Sequence, residues 1–210
     1  MHFIRLAGCS VGAKATKDKM GDVNAAAALL PILSSGRPAS FCQTYDERFF
    51  VCDTDFSLHE KLSVEQLITE TYEDHICLTG GEPLMHQEKD YFDELTKAAR
   101  AHHKLIHIET SGTILWRLAH SNVVWITVAP KFGYLDTMLY LADEVKILVD
   151  EDFDINKLPL WIKNHTNVFV CPINDEHEVN QTNVQLCLDL LRNMPTWRLS
   201  CQWHKFLQLR

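Results

Sequence analysis

The stretch His75-Ile76-Cys77-Leu78-Thr79-Gly80-Gly81-Glu82-Pro83 decides the fold of this chain. Its Ile76–Thr79 segment is a short apolar run, typical of a buried strand, and it ends at a pair of glycines. A helix is predicted over Gln87–Ala101, and a second apolar run follows at Leu105–Glu109. Strand, helix and strand in this order predict a βαβ unit with two parallel strands.

The same alternation continues toward both ends of the chain. We predict seven strands, at Phe3–Ala7, Ile76–Thr79, Leu105–Glu109, Val123–Val128, Glu144–Val149, Val168–Cys171 and Arg198–Cys201. Helices are predicted at Ser63–Asp74, Gln87–Ala101, Ile114–His120, Ile155–Asn164 and Glu178–Asn193. This pattern predicts an α/β fold, a shortened (partial) βα barrel of six or seven mostly parallel strands.

A single domain over residues 1–210 accommodates these elements, with a long insertion at about residues 10–40. The insertion has no clear strand or helix period, and loops of this length inside compact domains are usually functional or disordered. We therefore expect either a functional segment or a mobile surface excursion there.

Composition and charge narrow the class of protein. The chain has 46% hydrophobic and 23% charged residues, which is ordinary for a globular domain. Its formal net charge is −8 and it has no basic stripe, so we expect no nucleic-acid partner. No apolar run approaches the roughly 20 residues that span a bilayer, and no signal-peptide pattern is present. We expect a cytoplasmic protein, away from membranes, whose seven cysteines are reduced and available to metals.

Three of the cysteines are candidate cluster ligands. Cys9 ends the first predicted strand, where a parallel α/β fold exposes side chains at its functional edge. The run Phe41–Cys52 is predicted to form a hairpin with its turn near Asp46-Glu47, which would bring Cys42 and Cys52 together. Three thiolates suit a [4Fe–4S] cluster with one free iron, whereas a cluster that only carries electrons normally takes four. The other four cysteines lie in apolar patterns and are expected to be small buried hydrophobes: Cys77, Cys171, Cys187 and Cys201.

Polar turns follow three consecutive predicted strands. The glycines of Gly80-Gly81-Glu82-Pro83 let the backbone approach a ligand, and Glu82 offers a carboxylate to a cationic amine. Glu109-Thr110-Ser111-Gly112-Thr113 and Ala129-Pro130-Lys131 follow the next two strands. A site is therefore predicted where the carboxyl ends of the strands meet. His204, after the last strand, is either a substrate contact over the mouth of the barrel or a solvated histidine.

These motifs together resemble the 7-carboxy-7-deazaguanine synthase family of radical S-adenosylmethionine enzymes. The resemblance rests on Arg5-Leu6-Ala7-Gly8-Cys9, Cys52-Asp53-Thr54, Thr79-Gly80-Gly81-Glu82-Pro83, Glu109-Thr110-Ser111-Gly112-Thr113, Ala129-Pro130-Lys131 and Gln202-Trp203-His204-Lys205. It runs nearly end to end outside the insertion.

The resemblance implies a carbon–nitrogen lyase of 7-deazapurine (queuosine) biosynthesis. In this family a [4Fe–4S] cluster binds and reductively cleaves S-adenosylmethionine, and the adenosyl radical abstracts hydrogen from 6-carboxy-5,6,7,8-tetrahydropterin. The pterin ring contracts with loss of ammonia, assisted by Mg2+, to give 7-carboxy-7-deazaguanine. An electron donor such as flavodoxin or ferredoxin and a homodimeric state are implied as well.

The resemblance also implies residue roles, and it assigns no catalytic residue beyond the cluster. Cys9, Cys42 and Cys52 would bind the cluster and Thr54 the Mg2+, while Gly81, Glu82, Ser111 and Lys131 would hold S-adenosylmethionine. Arg5, Thr79, His204 and the terminal carboxylate of Arg210 would hold the substrate.

Two departures from the family pattern carry expectations of their own. The cysteines are separated by 32 and then nine residues, where most radical enzymes of the superfamily have short gaps. The family usually begins with a further strand and a Gln-Gly-Glu-Gly turn that contact the substrate. We expect either that the native chain begins upstream of Met1, or that the insertion covers the first strand and the pocket. The alternative functions are a radical activase acting on a protein partner and a non-catalytic metalloprotein.

Overall fold

The computed structural model describes residues 1–9, 11–12, 39–52, 54, 61–86, 91–116, 122–175 and 178–207. Most of the predicted insertion lies outside these ranges, and so does Arg210. Within them, no helix combines the length and the apolar character that crossing a membrane requires.

Seven parallel strands form the main sheet. In chain order the strands are β1 (His2–Leu6), β2 (Ser40–Gln43), β3 (Phe49–Cys52), β4 (His75–Gly80), β5 (Leu105–Thr110), β6 (Val124–Val128), β7 (Glu144–Val149), β8 (Val168–Pro172) and β9 (Arg198–Leu199). The sheet has the order β1-β4-β5-β6-β7-β8-β9, while β2 and β3 form a separate two-stranded sheet. Successive strands are neighbours in the main sheet, as βαβ units require. The predicted α/β fold with seven mostly parallel strands is confirmed, and the described strands leave the sheet open at β1 and β9.

The strands have one apolar and one polar face. Ile106 and Ile108 on β5, and Val145 and Ile147 on β7, are completely buried in the core. The residues that alternate with them include Glu109 and Lys146, which point to the opposite face because side chains alternate along a strand. The polar face is therefore the one that can line a site.

Helices complete the domain. They are α1 (Val64–Thr69), α2 (Tyr91–Ala101), α3 (Asp136–Leu141), α4 (Leu160–Lys163), α5 (Gln181–Asn193) and α6 (Trp203–Phe206), with 3-10 helices at Pro83–His86 and Ile155–Lys157. The predicted start at Ser63 is confirmed: its hydroxyl accepts the Gln66 amide at 3.1 Å, and its own amide donates to Gln66 Oε1 at 2.9 Å. These reciprocal bonds satisfy two amides that the first helical turn leaves free.

The predicted helix Ser63–Asp74 is too long at its carboxyl end. The helix α1 ends at Thr69. The buried ammonium of Lys104 donates to the carbonyl oxygens of Thr71 at 2.7 Å and Glu73 at 2.9 Å. A lysine 31 to 33 residues downstream thus satisfies carbonyls that lie beyond the end of α1, and local sequence gives no sign of it.

Two other helix predictions are wrong in part, and two short helices, α3 and α6, were missed. The predicted helix Ile155–Asn164 is split into a 3-10 helix and α4 because Pro159 disfavours helical backbone at Leu158, which is extended at ψ 125°. Of the predicted helix Ile114–His120, residues 114–116 are not helical and the rest lie outside the described residues. The missed helices have only six and four residues, and neither has a side-chain cap at its start that the sequence could have signalled.

Candidate functional site

Backbone hydrogen bonds join the turns that follow β1 and β4. The Gly81 amide donates to the Leu6 carbonyl at 3.0 Å, and the Glu82 amide donates to the Gly8 carbonyl at 2.9 Å. A Cβ atom on Gly81 would lie 1.8 Å from the Gly8 oxygen and 3.1 Å from the Cys9 Cβ. Only glycine fits at position 81, because the space that a side chain needs is filled by the turn that carries Cys9.

Glu82 links the turn after β4 to the turn after β5. Its side chain is completely buried. Its carboxylate accepts the Thr110 hydroxyl at 2.6 Å, the Ser111 amide at 2.8 Å and the Leu84 amide at 3.1 Å, and the Ser111 hydroxyl also donates to it. The predicted cofactor residues Glu82 and Ser111 are thus in contact, and the carboxylate is already engaged by donors of its own chain.

The predicted hairpin is confirmed, and its register places two cysteines on one face. The strands β2 and β3 pair antiparallel, with Cys42 opposite Phe50 and Cys52 opposite Ser40. Residues two apart on a strand share a face, so Cys42 and Cys52 are diagonal neighbours across the pair. Glu47 makes the tight turn with a φ of 70°.

The thiols of Cys9, Cys42 and Cys52 lie within electrostatic range of one another. Burial raises the pKa of Cys42 to about 11, although the nearby Lys131 ammonium acts to lower it. Negative charge on Cys52 and Cys9 raises this pKa further. Burial also raises the pKa of Cys9, whose sulfur accepts the Gly12 amide at 3.5 Å. The three predicted ligands therefore converge on one region at the carboxyl edge.

The three thiols are the type of donor that an iron–sulfur cluster takes. In the described part of the chain, no three His, Cys, Asp or Glu side chains meet closely enough to hold one metal ion. A [4Fe–4S] cube spreads its thiolate ligands further apart than one ion does, and it takes thiolates rather than mixed donors. All seven cysteines are free thiols, so no disulfide competes for these three.

Lys131 connects this region to the turn after β5. Its amide donates to the Ser111 carbonyl at 3.1 Å, and it forms an isolated bridge with Thr44 of the hairpin. Its ammonium lies 5.3 Å from the centre of the Phe50 ring, directly across the hairpin from Cys42. A fixed positive charge thus lies beside one predicted cluster ligand.

Three residues with predicted substrate or Mg2+ roles meet at the sheet edge formed by β1. Arg5 on β1 is paired in register with Thr79 on β4. The Arg5 guanidinium donates to the Thr54 hydroxyl at 3.3 Å. The structure therefore brings Arg5, Thr79 and Thr54 together beside the cysteines.

The helix α6 holds His204 at the opposite edge of the sheet. Gln202 accepts the Asn174 side-chain amide at 3.0 Å, and the buried Lys205 ammonium donates to the Asp175 carbonyl. These two bonds fasten α6 to the loop after β8, while His204 itself is exposed. The predicted contact of Arg210 lies outside the described residues.

Sequence reasoning missed a charged pair on the polar face. The Lys146 ammonium on β7 donates to Glu109 on β5 at 2.8 Å. Burial alone would lower the pKa of Lys146. The negative charge and the hydrogen bond of Glu109 favour the ammonium, and the pKa of Lys146 is raised on balance. Burial raises the pKa of the neighbouring Glu144. The available signal was the placement of charged residues at alternate positions of a strand that is otherwise apolar.

Comparison with known proteins gives a consistent result. No protein-family model matches the chain. A 7-carboxy-7-deazaguanine synthase from Buchnera aphidicola is 34% identical over 143 residues, which are 65% of this chain and 60% of the relative. One from Bacteroides thetaiotaomicron is 32% identical over 171 residues, 81% of each protein. The crystal structure of QueE from Escherichia coli covers 95% of this chain and 84% of its own, with 25% identity and a TM-score of 0.56. Together with the parallel α/β fold and the three neighbouring thiols, these matches show that the chain belongs to the 7-carboxy-7-deazaguanine synthase family.

Proposed function

We propose that this protein is a radical S-adenosylmethionine lyase that converts 6-carboxy-5,6,7,8-tetrahydropterin to 7-carboxy-7-deazaguanine with loss of ammonia. The observation that carries the proposal is the match to 81% of the length of a 7-carboxy-7-deazaguanine synthase. The convergence of three free thiols beside the Gly-Gly-Glu-Pro turn supports it.

In this proposal Cys9, Cys42 and Cys52 would hold the [4Fe–4S] cluster, which would supply the one-electron chemistry that cleaves S-adenosylmethionine. The chain contributes position and charge: the packing of Gly81 against Gly8 fixes the turn that carries Cys9, and Lys131 adds a cation next to Cys42. Around them, the fully buried Glu82 carboxylate accepts the Ser111 amide and so fixes Ser111, which would contact S-adenosylmethionine.

In this proposal Arg5 and Thr79 hold the pterin from the β1 end of the sheet, and His204 holds it from the β9 end across the mouth of the partial barrel. A guanidinium is the natural partner of the substrate carboxylate, because it offers two parallel donors. Arg5 also donates to Thr54, the proposed Mg2+ ligand, so a cation approaching that hydroxyl meets a positive charge first. We infer that Mg2+ binds together with the substrate, whose carboxylate neutralises Arg5.

The proposal includes partners and a compartment. The cleavage of S-adenosylmethionine needs a one-electron donor, and flavodoxin or ferredoxin has the required chemistry. Seven free thiols are compatible with a reducing cytoplasm. A homodimer is proposed on the family resemblance alone.

Anaerobic reconstitution followed by a single-turnover assay tests the reaction. Reconstituted protein given carboxytetrahydropterin, S-adenosylmethionine, reductant and Mg2+ should form carboxydeazaguanine, detected by mass spectrometry. His204→Ala should impair product formation more than it impairs cleavage of S-adenosylmethionine without substrate, because its contact is to the pterin.

His102→Ala is a matched control, because His102 is an exposed histidine just after α2. It precedes the amino end of β5, whereas the candidate site lies at the carboxyl ends of the strands. It should leave both reactions unchanged. Cleavage of S-adenosylmethionine without product would assign the chain to another radical reaction. Failure to cleave it with a full cluster in place would contradict radical chemistry altogether.

A further inference from the structure

The hairpin that carries two of the three cysteines is not part of the main sheet. Among the strands that the structure describes, β2 and β3 pair only with each other. An isolated two-stranded hairpin is marginally stable in water, so its position depends on the contacts that it makes with the rest of the domain. Those contacts must hold Cys42 and Cys52 in place relative to Cys9.

One arginine makes several of these contacts. Arg48 lies in the hairpin turn, and its side chain is only 9% exposed. Its Nε donates to Asp46 within the turn at 2.9 Å, and one terminal nitrogen donates to the Leu148 carbonyl at 2.9 Å. The other terminal nitrogen donates to the Asp150 carboxylate, and the guanidinium lies 5.4 Å from the centre of the Phe153 ring. A single guanidinium thus ties the hairpin to the carboxyl end of β7.

The turn around Arg48 is itself closely bonded. Thr44 donates its hydroxyl to Asp46 at 2.6 Å, and the Arg48 amide donates to the same hydroxyl oxygen at 3.0 Å. The Phe132 amide donates to the Gln43 carbonyl at 3.2 Å, which adds a contact with the segment after β6. The docked turn is therefore rigid. Cys42 lies on the strand that leads into the turn, and Cys52 lies on the strand that follows it.

We propose that Arg48 is a positioning residue that docks the hairpin so that Cys42 and Cys52 face Cys9. This inference rests on the proposed function, because it takes these three thiols as the cluster ligands. Arg48 touches neither thiol. It acts through the turn: its three hydrogen bonds reach the hairpin and β7, and planar guanidinium geometry is needed to make them together.

Thiol crosslinking of the protein without its cluster tests the inference. A short bifunctional thiol reagent, followed by peptide mapping, measures how quickly Cys9 becomes linked to Cys42 or Cys52. Hydrogen bonds to charged groups stabilise more than neutral ones do. Because Arg48→Met removes them, the docked hairpin should be less populated and this crosslinking should slow by about tenfold or more. Iron bound per chain after anaerobic reconstitution should fall in parallel, and the electron paramagnetic resonance signal of the reduced cluster should weaken.

Three further variants test whether the effect is specific to the Arg48 contacts. Arg192→Met removes an arginine whose side chain is 73% exposed and should change none of these measurements. Arg48→Lys should restore crosslinking only in part, since an ammonium cannot make the three bonds at once. Asp150→Asn weakens the anchor from the β7 side, so it should act in the same direction if Arg48→Met fails to fold.

The outcomes separate this inference from the proposed function. Wild-type crosslinking rates and iron content in both Arg48→Met and Asp150→Asn would overturn it, whatever the enzyme turns over. Slower crosslinking in a protein that never forms carboxydeazaguanine would support the positioning role and contradict only the proposed reaction. Equal slowing in Arg192→Met would point to a general loss of stability and would also overturn the inference.

Discussion

Replacing Gly81 by alanine places a methyl group where the backbone of another turn already lies. The new Cβ would be 1.8 Å from the Gly8 carbonyl oxygen and 2.5 Å from the Gly8 carbonyl carbon. Neither atom is at the end of a flexible side chain, so the clash is relieved only by moving the turn after β4 away from the turn after β1. That movement stretches the bonds from Gly81 to Leu6 and from Glu82 to Gly8.

The cost follows from these two effects. Overpacking of a tight site costs about 1–3 kcal/mol, and it should reach the upper part of this range here because backbone atoms must move. Each of the two backbone hydrogen bonds is worth about 0.5–1.5 kcal/mol. Alanine recovers about 0.4–1 kcal/mol by restricting the unfolded chain. The free energy of unfolding should therefore fall by about 2–5 kcal/mol, a large share of the roughly 5–15 kcal/mol of an ordinary domain.

Urea unfolding of the cluster-free protein measures this loss, and Gly133→Ala is its control. Gly133 has a positive φ of 79° but nothing within 4 Å of an added Cβ, so its variant pays for backbone strain without a clash. That strain should cost about 1 kcal/mol. With an m-value of about 1–3 kcal/mol per molar urea, Gly81→Ala should lower the midpoint by about 1 M or more. A midpoint for Gly81→Ala equal to that of Gly133→Ala would refute the reasoning, since the packing of the two turns would then impose no requirement for glycine.

Two further predictions concern charge. Lys131→Met should lower the reduction potential of the reconstituted cluster by roughly tens of millivolts, because the ammonium beside Cys42 favours the more negative reduced state; a potential that stays constant or rises in a potentiometric titration would contradict this. Burial and the adjacent His75 lower the pKa of His107, so the unfolded chain takes up the proton more readily and stability should decrease as the pH falls below about 6.5. His107→Asn should flatten the change in urea midpoint between about pH 7.5 and 5.5, and an unchanged slope would show that another group is responsible.

The sequence predicted the sheet well because its strands are marked by local pattern. Each predicted strand of the main sheet overlaps an observed one, and β7 has the predicted bounds. Short helices were predicted less well, because a helix of four to six residues is stable only through packing that local sequence does not reveal. Pro159 is the exception: its effect on Leu158 is local, and it could have been used to divide the predicted helix.

The sequence predicted that the candidate site residues lie along one edge of the sheet, but not which of them contact one another. Polar turns at the carboxyl ends of parallel strands had to share an edge, and that rule located Cys9, Gly81, Ser111 and Lys131. It gave no means of seeing that Thr110, the last residue of β5, and Ser111 would engage the Glu82 carboxylate. Contacts between residues distant in sequence depend on the finished fold, and the bond between Arg48 and Asp150, 102 residues apart, is of the same kind.

The spacing between Cys42 and Cys52 has a geometric reason within the hairpin. Side chains alternate along each strand, so the register with Cys42 opposite Phe50 is what puts Cys52 on the same face. A shift of one residue in either strand would turn one thiol to the opposite face and away from Cys9. The turn fixes that register twice, through the bond from the Thr44 amide to the Arg48 carbonyl at 2.9 Å and through the docking of Arg48 on β7. A hairpin with a fixed turn can therefore present two thiolates to a third as definitely as a compact loop can, and the long spacing of these cysteines is compatible with a single cluster.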